Sequence, residues 1–344
     1  MFALTLADPK KKRLEVVAVD EPGPLEEDEL LVRMEYSSVQ HLDSELAGGG
    51  RGVEPPQVMG TDGVGIVLQS RCPAIPVGVH VGFIFFRVPQ DLGSWCTLVK
   101  LSHARACIVE LPRDVALQEA AGGLSSSLMA LACLRHFGHG AVVLVSGACG
   151  AVGLALLQLA AIRGMKAVGL VRGAARTAWI MKELGATRDI HAIDVSSPGW
   201  SELATEVCGS SVEGDCGADG VIDGVGGELL TQVLESGLVR ARGAVVAYGC
   251  TAGPPDEGRV ASAAKVRGLR RLEEGMPEAL ARADAAAQLG EALVLMTDGK
   301  YRPRVWQNVK WSDAGHCLVP QPSWSKYISQ YTEGRIGRII LKFD

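Results

Sequence analysis

The sequence predicts an α/β protein: a doubly wound parallel sheet flanked by the two pieces of a mostly antiparallel, partly barrel-shaped β domain. Three observations predict it. Residues 1–115 carry short strand-like runs cut by Gly and Pro, among them LEVVAV, ELLVRMEYSSV, GVGIVLQS, VGFIFF, CTLVKL and ARACIVEL, the spacing of a compact antiparallel domain. From Ala141 onward strands and helices alternate at the pitch of βαβ units, which calls for a parallel sheet. After Gly253 strand character returns in RPRVWQNVKW and RIGRIILKF, so the first domain is completed from the C-terminal side. The expected boundaries are 1–118 for the first part of the β domain, 119–274 for the parallel domain and 275–344 for the returning part.

Along the chain, PRDVALQEAAGGLSSSLMALACLRHFG replaces alternation with helical periodicity, and Ser125, Ser126 and Ser127 are read as hydroxyls at a helix start. AVVLVSG, KAVGLV, DIHAID, ADGVIDGVG and GAVVAYG are read as strands, with helices over 151–163, 174–185, 199–208 and 227–237 between them. ASAAKVRGL is read as a further strand and MPEALARADAAAQLGEALVLMTDGK as one helix.

Composition narrows the function classes. The chain has 344 residues, enough for two domains, with 47% hydrophobic and 21% charged residues and a net charge of −5, so no global basic field draws nucleic acid or anionic membrane. The basic run Lys10-Lys11-Lys12-Arg13 is short and falls where a first hairpin turns. No apolar run reaches the roughly 18 residues of a bilayer span, and the start of the chain lacks a signal pattern. A cytosolic location is expected, with a mitochondrial one left open. Nine cysteines, at 72, 96, 107, 133, 149, 208, 216, 250 and 317, are scattered without a C-x-x-C, as expected of reduced thiols.

VVLVSGACGAVGLALLQLA places Gly147-x-x-Gly150-x-x-Gly153 between a strand and a helix. Glycine permits the tight turn, lets backbone approach a pyrophosphate, and lets helix and sheet pack closely while the helix N-terminus faces the phosphates. This is the phosphate turn of a Rossmann-type domain, and Gly147, Ala148, Gly150, Ala151, Val152 and Gly153 are expected at the cofactor. About 20 residues further on, an Asp or Glu would bind the ribose hydroxyls of NAD. Here the strand ends Val171-Arg172-Gly173, with Arg176 one turn later. Guanidinium groups pair with a 2′-phosphate, so NADPH (or NADP+) is the expected cofactor. Cys149 lies inside the turn and is expected to serve packing.

The segments GTDGVGIV (60–67), LGSWCTLVKL (92–101), LPRDVALQEAAGGLSSSLMAL (111–131), VSGACGAVGLALLQLA (145–160), DGVIDGVGG (219–227) and EGRIGRIILKF (333–343) together resemble the medium-chain dehydrogenase/reductase superfamily. Their order is similar to its zinc-free quinone oxidoreductase and enoyl-thioester reductase branches. The resemblance implies a GroES-like domain beside the Rossmann-type one, and a homodimer formed near GAVVAYG to AAKVRGL. It also implies cofactor contacts at Val225, at Tyr248 and Gly249 beside the nicotinamide ribose, and at Ser126 facing the cofactor.

The catalytic zinc of other members needs a Cys, a His-Glu pair and a second Cys, about three N, S or O donors with one open position. This sequence has Gln40, Thr61 and Asp62 at the first of these places and no Cys at the last, so no metal is expected. Zinc-free relatives carry a Tyr after N-P-x-D and a Thr in the helix near the nicotinamide. Here VQHLDSELAGGGRG keeps Asp43, puts Gln40 for the Asn and Gly50 at the tyrosine place, and Met129 stands at the threonine place. Gln40, His41 and Asp43 are therefore the candidate catalytic cluster; the readings are a substrate or nicotinamide role, or structural hydrogen bonding. An electron-poor quinone can accept hydride and take its proton from solvent, whereas an enoyl thioester leaves an enolate that gains from an oriented acid. The expected function is NADPH-dependent, zinc-independent reduction of a small-molecule quinone or activated enone. The alternatives are an enoyl-thioester reductase and an NADPH-binding protein with little catalysis.

Overall fold

A computed structural model describes residues 1–8, 10, 13–48, 52–87, 93–185, 189–209, 217–310 and 336–343. Lys11, Lys12, Gly50, Cys216 and Cys317, singled out above, lie outside the described residues. The chain divides into two compact units, Met1–Ser125 with Leu280–Asp344, and Ser126–Ala279.

The first unit is built on strands β1 (Phe2–Asp8), β2 (Arg13–Ala18), β3 (Glu29–Val39), β4 (Gln57–Val58), β5 (Asp62–Ser70), β6 (His80–Phe85), β7 (Leu98–Ser102) and β8 (Ala106–Glu110), with helix α1 (His41–Ala47) after β3. A three-stranded sheet has the order β2-β1-β4. In β3, Leu30, Val32 and Met34 are buried while Arg33 is exposed, the period-two pattern of a strand with one face on a core. That core gathers Leu4, Leu30, Val32, Met34, Phe83, Phe85, Trp95 and Leu341. Each such side chain removed from water contributes about 1.5–3 kcal/mol.

Strand β3 is the spine of the larger sheet, pairing antiparallel with β5 and β7. The returning chain supplies α9 (Ala285–Thr297), β15 (Val305–Lys310) and β16 (Arg338–Lys342). Strand β16 lies antiparallel to the end of β3, with Ile339 opposite Val39. That register carries Arg338 to the residue where β3 gives way to α1, and it completes the site described below.

Helix α2 (Leu117–Leu134) contains the point at which the chain passes from the first unit to the second. Ser125, Ser126 and Ser127 fall in its middle rather than at its start. The periodic apolar pattern continues on both sides of the serines, so tertiary burial overrides their capping preference.

The second unit is a six-stranded parallel sheet of β9 (Val142–Ser146), β10 (Lys166–Val171), β11 (Ile190–Asp194), β12 (Ala218–Asp223), β13 (Val239–Ala247) and β14 (Arg270–Glu273), in the order β11-β10-β9-β12-β13-β14. Helices α3 (Ala151–Ile162), α4 (Ala174–Glu183), α5 (Trp200–Cys208), α6 (Gly227–Glu235) and α7 (Glu257–Arg267) connect them, and α8 (Met276–Leu280) follows β14. Strand order reverses between β9 and β12, the switch point beside which open α/β sheets bind ligands. Two expectations are corrected here. ASAAKVRGL is mostly α7, started by the Asp256 side chain accepting from the Arg259 N–H and ended by left-handed Gly268. The single helix expected over 276–300 is two, α8 and α9, with Asp284 at the start of the second.

Candidate functional site

At the switch point, the backbone builds the site. Gly147 adopts φ 62°, and a side chain there would meet Val225 Cγ2 at 3.1 Å. At Gly153 a Cβ would lie 2.4 Å from the Gly147 carbonyl oxygen and 2.6 Å from Ala148 Cα, which only glycine avoids. Gly150 begins α3 in an extended conformation with no side-chain cap, so the helix N-terminus offers its N–H dipoles to an anion. The cradle that a Cβ would fill is what a pyrophosphate needs, and the residues present fit a dinucleotide. Ala148 is fully buried beneath the turn and Ala151 and Val152 are half-buried at the start of α3.

Below this turn lies a pair that sequence reasoning did not single out. Buried Asp223, at the end of β12, accepts from Ser146 Oγ at the end of β9, from the Gly226 N–H at 2.8 Å and from the Val225 N–H at 3.4 Å. Ser146 Oγ in turn accepts from the Gly224 N–H at 3.0 Å. The pair ties the two switch-point strands together and sets the loop carrying Val225. Burial pushes the Asp223 carboxyl up, against its hydrogen bonds.

The other cofactor candidates fall into two groups. Arg172 is exposed at the end of β10, and Arg176 Nη1 donates to the Arg172 carbonyl at 3.1 Å. The nearest carboxylate role there is filled by Asp194, which accepts from the Gly173 N–H at 2.8 Å and so holds the turn rather than offering itself to a ribose. Tyr248 packs its ring against Gly224, where a Cβ would be 2.3 Å from Cζ, and its N–H donates to the Asp223 carbonyl; Gly249 beside it is exposed. Ser126 is 1% exposed inside α2. Burial pushes the Cys149 thiol up to about 11 despite the nearby Arg176 charge, which fits packing and not reactivity.

In the first unit the expected Gln40–His41–Asp43 cluster is only partly assembled. His41 is the first residue of α1, and its Nε2 lies 3.4 Å from Glu45 Oε1, one turn along. Asp43 is fully buried and accepts from the Gln40 N–H at 2.7 Å through Oδ2, fixing the start of α1. Its Oδ1 has no hydrogen-bond partner. Burial, with the neighbouring Asp62 charge adding to it, raises its carboxyl to about 8, so Asp43 is neutral near pH 7.

Gln40 instead points into a network centred on Asp62. Gln40 Nε2 lies 2.9 Å from Thr61 Oγ1, 2.9 Å from Asp62 Oδ2 and 3.2 Å from Ser125 Oγ. Ser125 Oγ donates to Asp62 Oδ2, and Ser38 Oγ donates to Asp62 Oδ1 at 2.7 Å. Buried Arg338 donates from Nη1 to Ser38 Oγ at 3.2 Å. Burial pushes the Asp62 carboxyl up while the Arg338 charge opposes the shift. Ser38, Thr61, Asp62, Ser125 and Arg338 are thus the network members that the sequence reading did not name as a site, and Ser125 is the serine of the run within it.

The chemistry of this network does not suit a zinc ion. The donors are amide, hydroxyl and a carboxylate already saturated by hydrogen bonds, with a guanidinium beside them. A site selective for zinc uses thiolate, imidazole or free carboxylate, and a fixed cation repels a dication. None of the seven described cysteines is in a disulfide; six are buried and Cys250 is exposed. Among the described residues, no helix is long and apolar enough to cross a membrane.

Comparison with known proteins accords with this architecture. Residues 26–133 match the alcohol dehydrogenase GroES-like domain. The chain is similar to the highly reducing polyketide synthase PKS2 of Leptosphaeria maculans, 28% identical over 211 residues, and to the polyketide synthase ACRTS2 of Alternaria alternata, 28% over 217 residues. These matches cover 60% and 62% of the chain, which spans only 8% of the length of either relative. Among solved structures, the quinone oxidoreductase of Pseudomonas syringae matches with a TM-score of 0.79 at 22% identity, covering 99% of both chains. The CurK enoyl reductase matches with a TM-score of 0.79 at 17% identity, covering 100% of this chain and 99% of its own.

Proposed function

We propose that this chain, a member of the medium-chain dehydrogenase/reductase superfamily, is an NADPH-dependent, zinc-independent oxidoreductase that reduces a quinone or an activated enone. The observation that carries the reading is the Asp62 network: Gln40, Ser125 and Ser38 are hydrogen-bonded to the Asp62 carboxylate and Arg338 donates to Ser38, a donor set without the thiolate and imidazole that a catalytic zinc takes. When bound, the nicotinamide supplies the hydride. The protein's part is to hold, orient and exclude water. Gly147, Gly150 and Gly153 let the turn close tightly, and the N–H groups of the first turn of α3 are left for the pyrophosphate. Arg172 and Arg176 supply charge for a 2′-phosphate, and the Asp194 carboxylate is engaged by the Gly173 N–H.

Neutral Asp43 and hydrogen-bonded Asp62 serve the architecture of the strand ends. A quinone oxyanion can take its proton from water, so the reaction does not require them to move one. A second reading, reduction of an enoyl thioester, is favoured by the likeness to reducing polyketide synthases and to the CurK enoyl reductase. A homodimer through the sheet-edge strand β14 belongs to the same proposal, as does a cytosolic location.

The test is NADPH oxidation with a panel of quinones, enones and enoyl thioesters. Turnover of quinones or enones but not thioesters supports the first reading, thioester turnover alone the second, and tight NADPH binding without turnover would contradict both. Arg172→Ala should reduce the preference for NADPH over NADH by about tenfold, or about 1.4 kcal/mol; equal affinity of the unaltered protein for the two cofactors would remove the 2′-phosphate argument.

A further inference from the structure

Strands β3 and β5 carry the Asp62 network at one pair of ends. At their other ends lies a cluster that the proposed reaction does not use. Asp28 sits in the turn just before β3, Cys72 just after β5, and His103 just after β7. The registers bring them together: Leu30 pairs with Ser70, and Glu29 pairs with Ser102. The Arg71 N–H donates to the Glu29 carbonyl at 2.8 Å, and the Asp28 N–H to the Arg71 carbonyl at 3.2 Å, so the turn and the loop are tied by backbone. One ligand atom from each of Asp28, Cys72 and His103 lies within 4.8 Å of the others, and Asp28 Oδ2 is 3.5 Å from His103 Nδ1.

We infer that Asp28, Cys72 and His103 form a binding site for one zinc ion, separate from the proposed reaction and absent from the sequence reading. The donor set is carboxylate, thiolate and imidazole, three ligand types that zinc takes together, with the fourth position left for water. Zinc bonds of about 2.0–2.1 Å to nitrogen and oxygen at the tetrahedral angle put those two atoms about 3.3 Å apart. The Asp28–His103 separation of 3.5 Å already nearly meets that edge. Bonds of about 2.3 Å to sulfur set its edges at about 3.5 Å, a small closure from the observed cluster. Thiolate and carboxylate together neutralise the dication. The side chains of His103 and Asp28 are 43% and 50% exposed, which gives the ion a path from solvent, while Cys72 is buried behind them.

Without metal, an ordinary thiol carries its proton near neutral pH. A dication inverts that balance. Binding forms the sulfur–zinc bond, breaks the S–H bond and releases one proton to solvent, with no change in oxidation state. The bound ion links the turn before β3, the loop after β5 and the β7–β8 turn, and stabilises the folded unit by mass action.

The experiment titrates the reduced full-length chain with Co2+, a zinc surrogate whose bond to a thiolate gives a near-ultraviolet charge-transfer band. A band saturating at one equivalent, displaced by one equivalent of Zn2+ with about one proton released per ion, is expected. Cys72→Ser should abolish it, and Cys250→Ser, which alters the exposed cysteine, should leave it intact. His103→Ala and Asp28→Asn, at exposed side chains that folding tolerates, should each weaken Co2+ binding by at least about tenfold. The absence of a thiolate band, its survival in Cys72→Ser, its loss in Cys250→Ser, or unchanged affinity in His103→Ala would each overturn the assignment.

Discussion

The glycine turn at the end of β9 and the Asp62 network at the ends of β3 and β5 are both strand-end sites, built in opposite ways. In the turn, seven consecutive residues, Gly147 to Gly153, set the shape through backbone, and side chains matter mainly where they are missing. In the network, Ser38, Gln40, Asp62, Ser125 and Arg338 come from four separate places along the chain, and each matters through a side-chain atom. The turn tolerates much in its neighbours but nothing at Gly153. The network tolerates change in spacing but needs every donor matched to an acceptor, because an unpaired buried group costs more than a formed hydrogen bond returns.

Asp62→Ala puts the greatest strain on this comparison. It leaves the Ser38, Gln40 and Ser125 donors and the Arg338 charge without their shared acceptor, an expected loss of about 3–5 kcal/mol in denaturant unfolding. A loss below about 1 kcal/mol would show that the network does not hold the strand ends together.

Asp43→Asn tests the same region through pH. The Asp43 carboxyl lies at about 8 in the folded chain against an ordinary 3.8. Between those values the folded state holds a proton that the unfolded state has released. Its contribution is therefore full below the ordinary value and lost as pH rises towards 8. Asparagine mimics the neutral acid, so the stability of the variant relative to the parent should rise between about pH 5 and pH 8, by up to about 1.4 kcal/mol per pH unit. Chemical denaturation at several pH values reads the slope; a relative stability that stays flat between about pH 5 and pH 8 would mean that Asp43 is buried as the anion.

Gly153→Val probes the turn. Its Cβ would meet the Gly147 carbonyl and Ala148 Cα, backbone atoms that cannot swing aside, for an expected stability loss of about 1–3 kcal/mol. NADPH affinity, measured by fluorescence titration, should fall at least about tenfold. Unchanged affinity would detach the turn from the cofactor.

The contrast explains what could be read in the chain beforehand. Gly147-x-x-Gly150-x-x-Gly153 was legible because its physics is local: a turn, a helix start and a close approach all follow from spacing. The Asp62 network was not. Gln40 and Asp43 stood out as a polar cluster, but their partners lie 21 residues away at Thr61, 85 away at Ser125 and, for Ser38, 300 away at Arg338. His41 was grouped with its neighbours, yet its place at the start of α1 turns it towards Glu45. A serine run read as a helix start gives no helical phase, and inside α2 that phase brings Ser125 to Asp62. The misread strand at ASAAKVRGL teaches the same lesson at the level of elements. Its short alternation was outweighed by two signals also present in sequence, Asp256 before the helix and Gly268 after it.

The central proposal is that hydride transfer in this protein proceeds without a metal. It is tested most directly by NADPH oxidation with a quinone before and after exhaustive dialysis against a strong chelator. The rate should be unchanged by chelation and by added Zn2+, even where the ion alters melting through the Asp28–Cys72–His103 site. A rate lost on chelation and restored by Zn2+ would contradict the account.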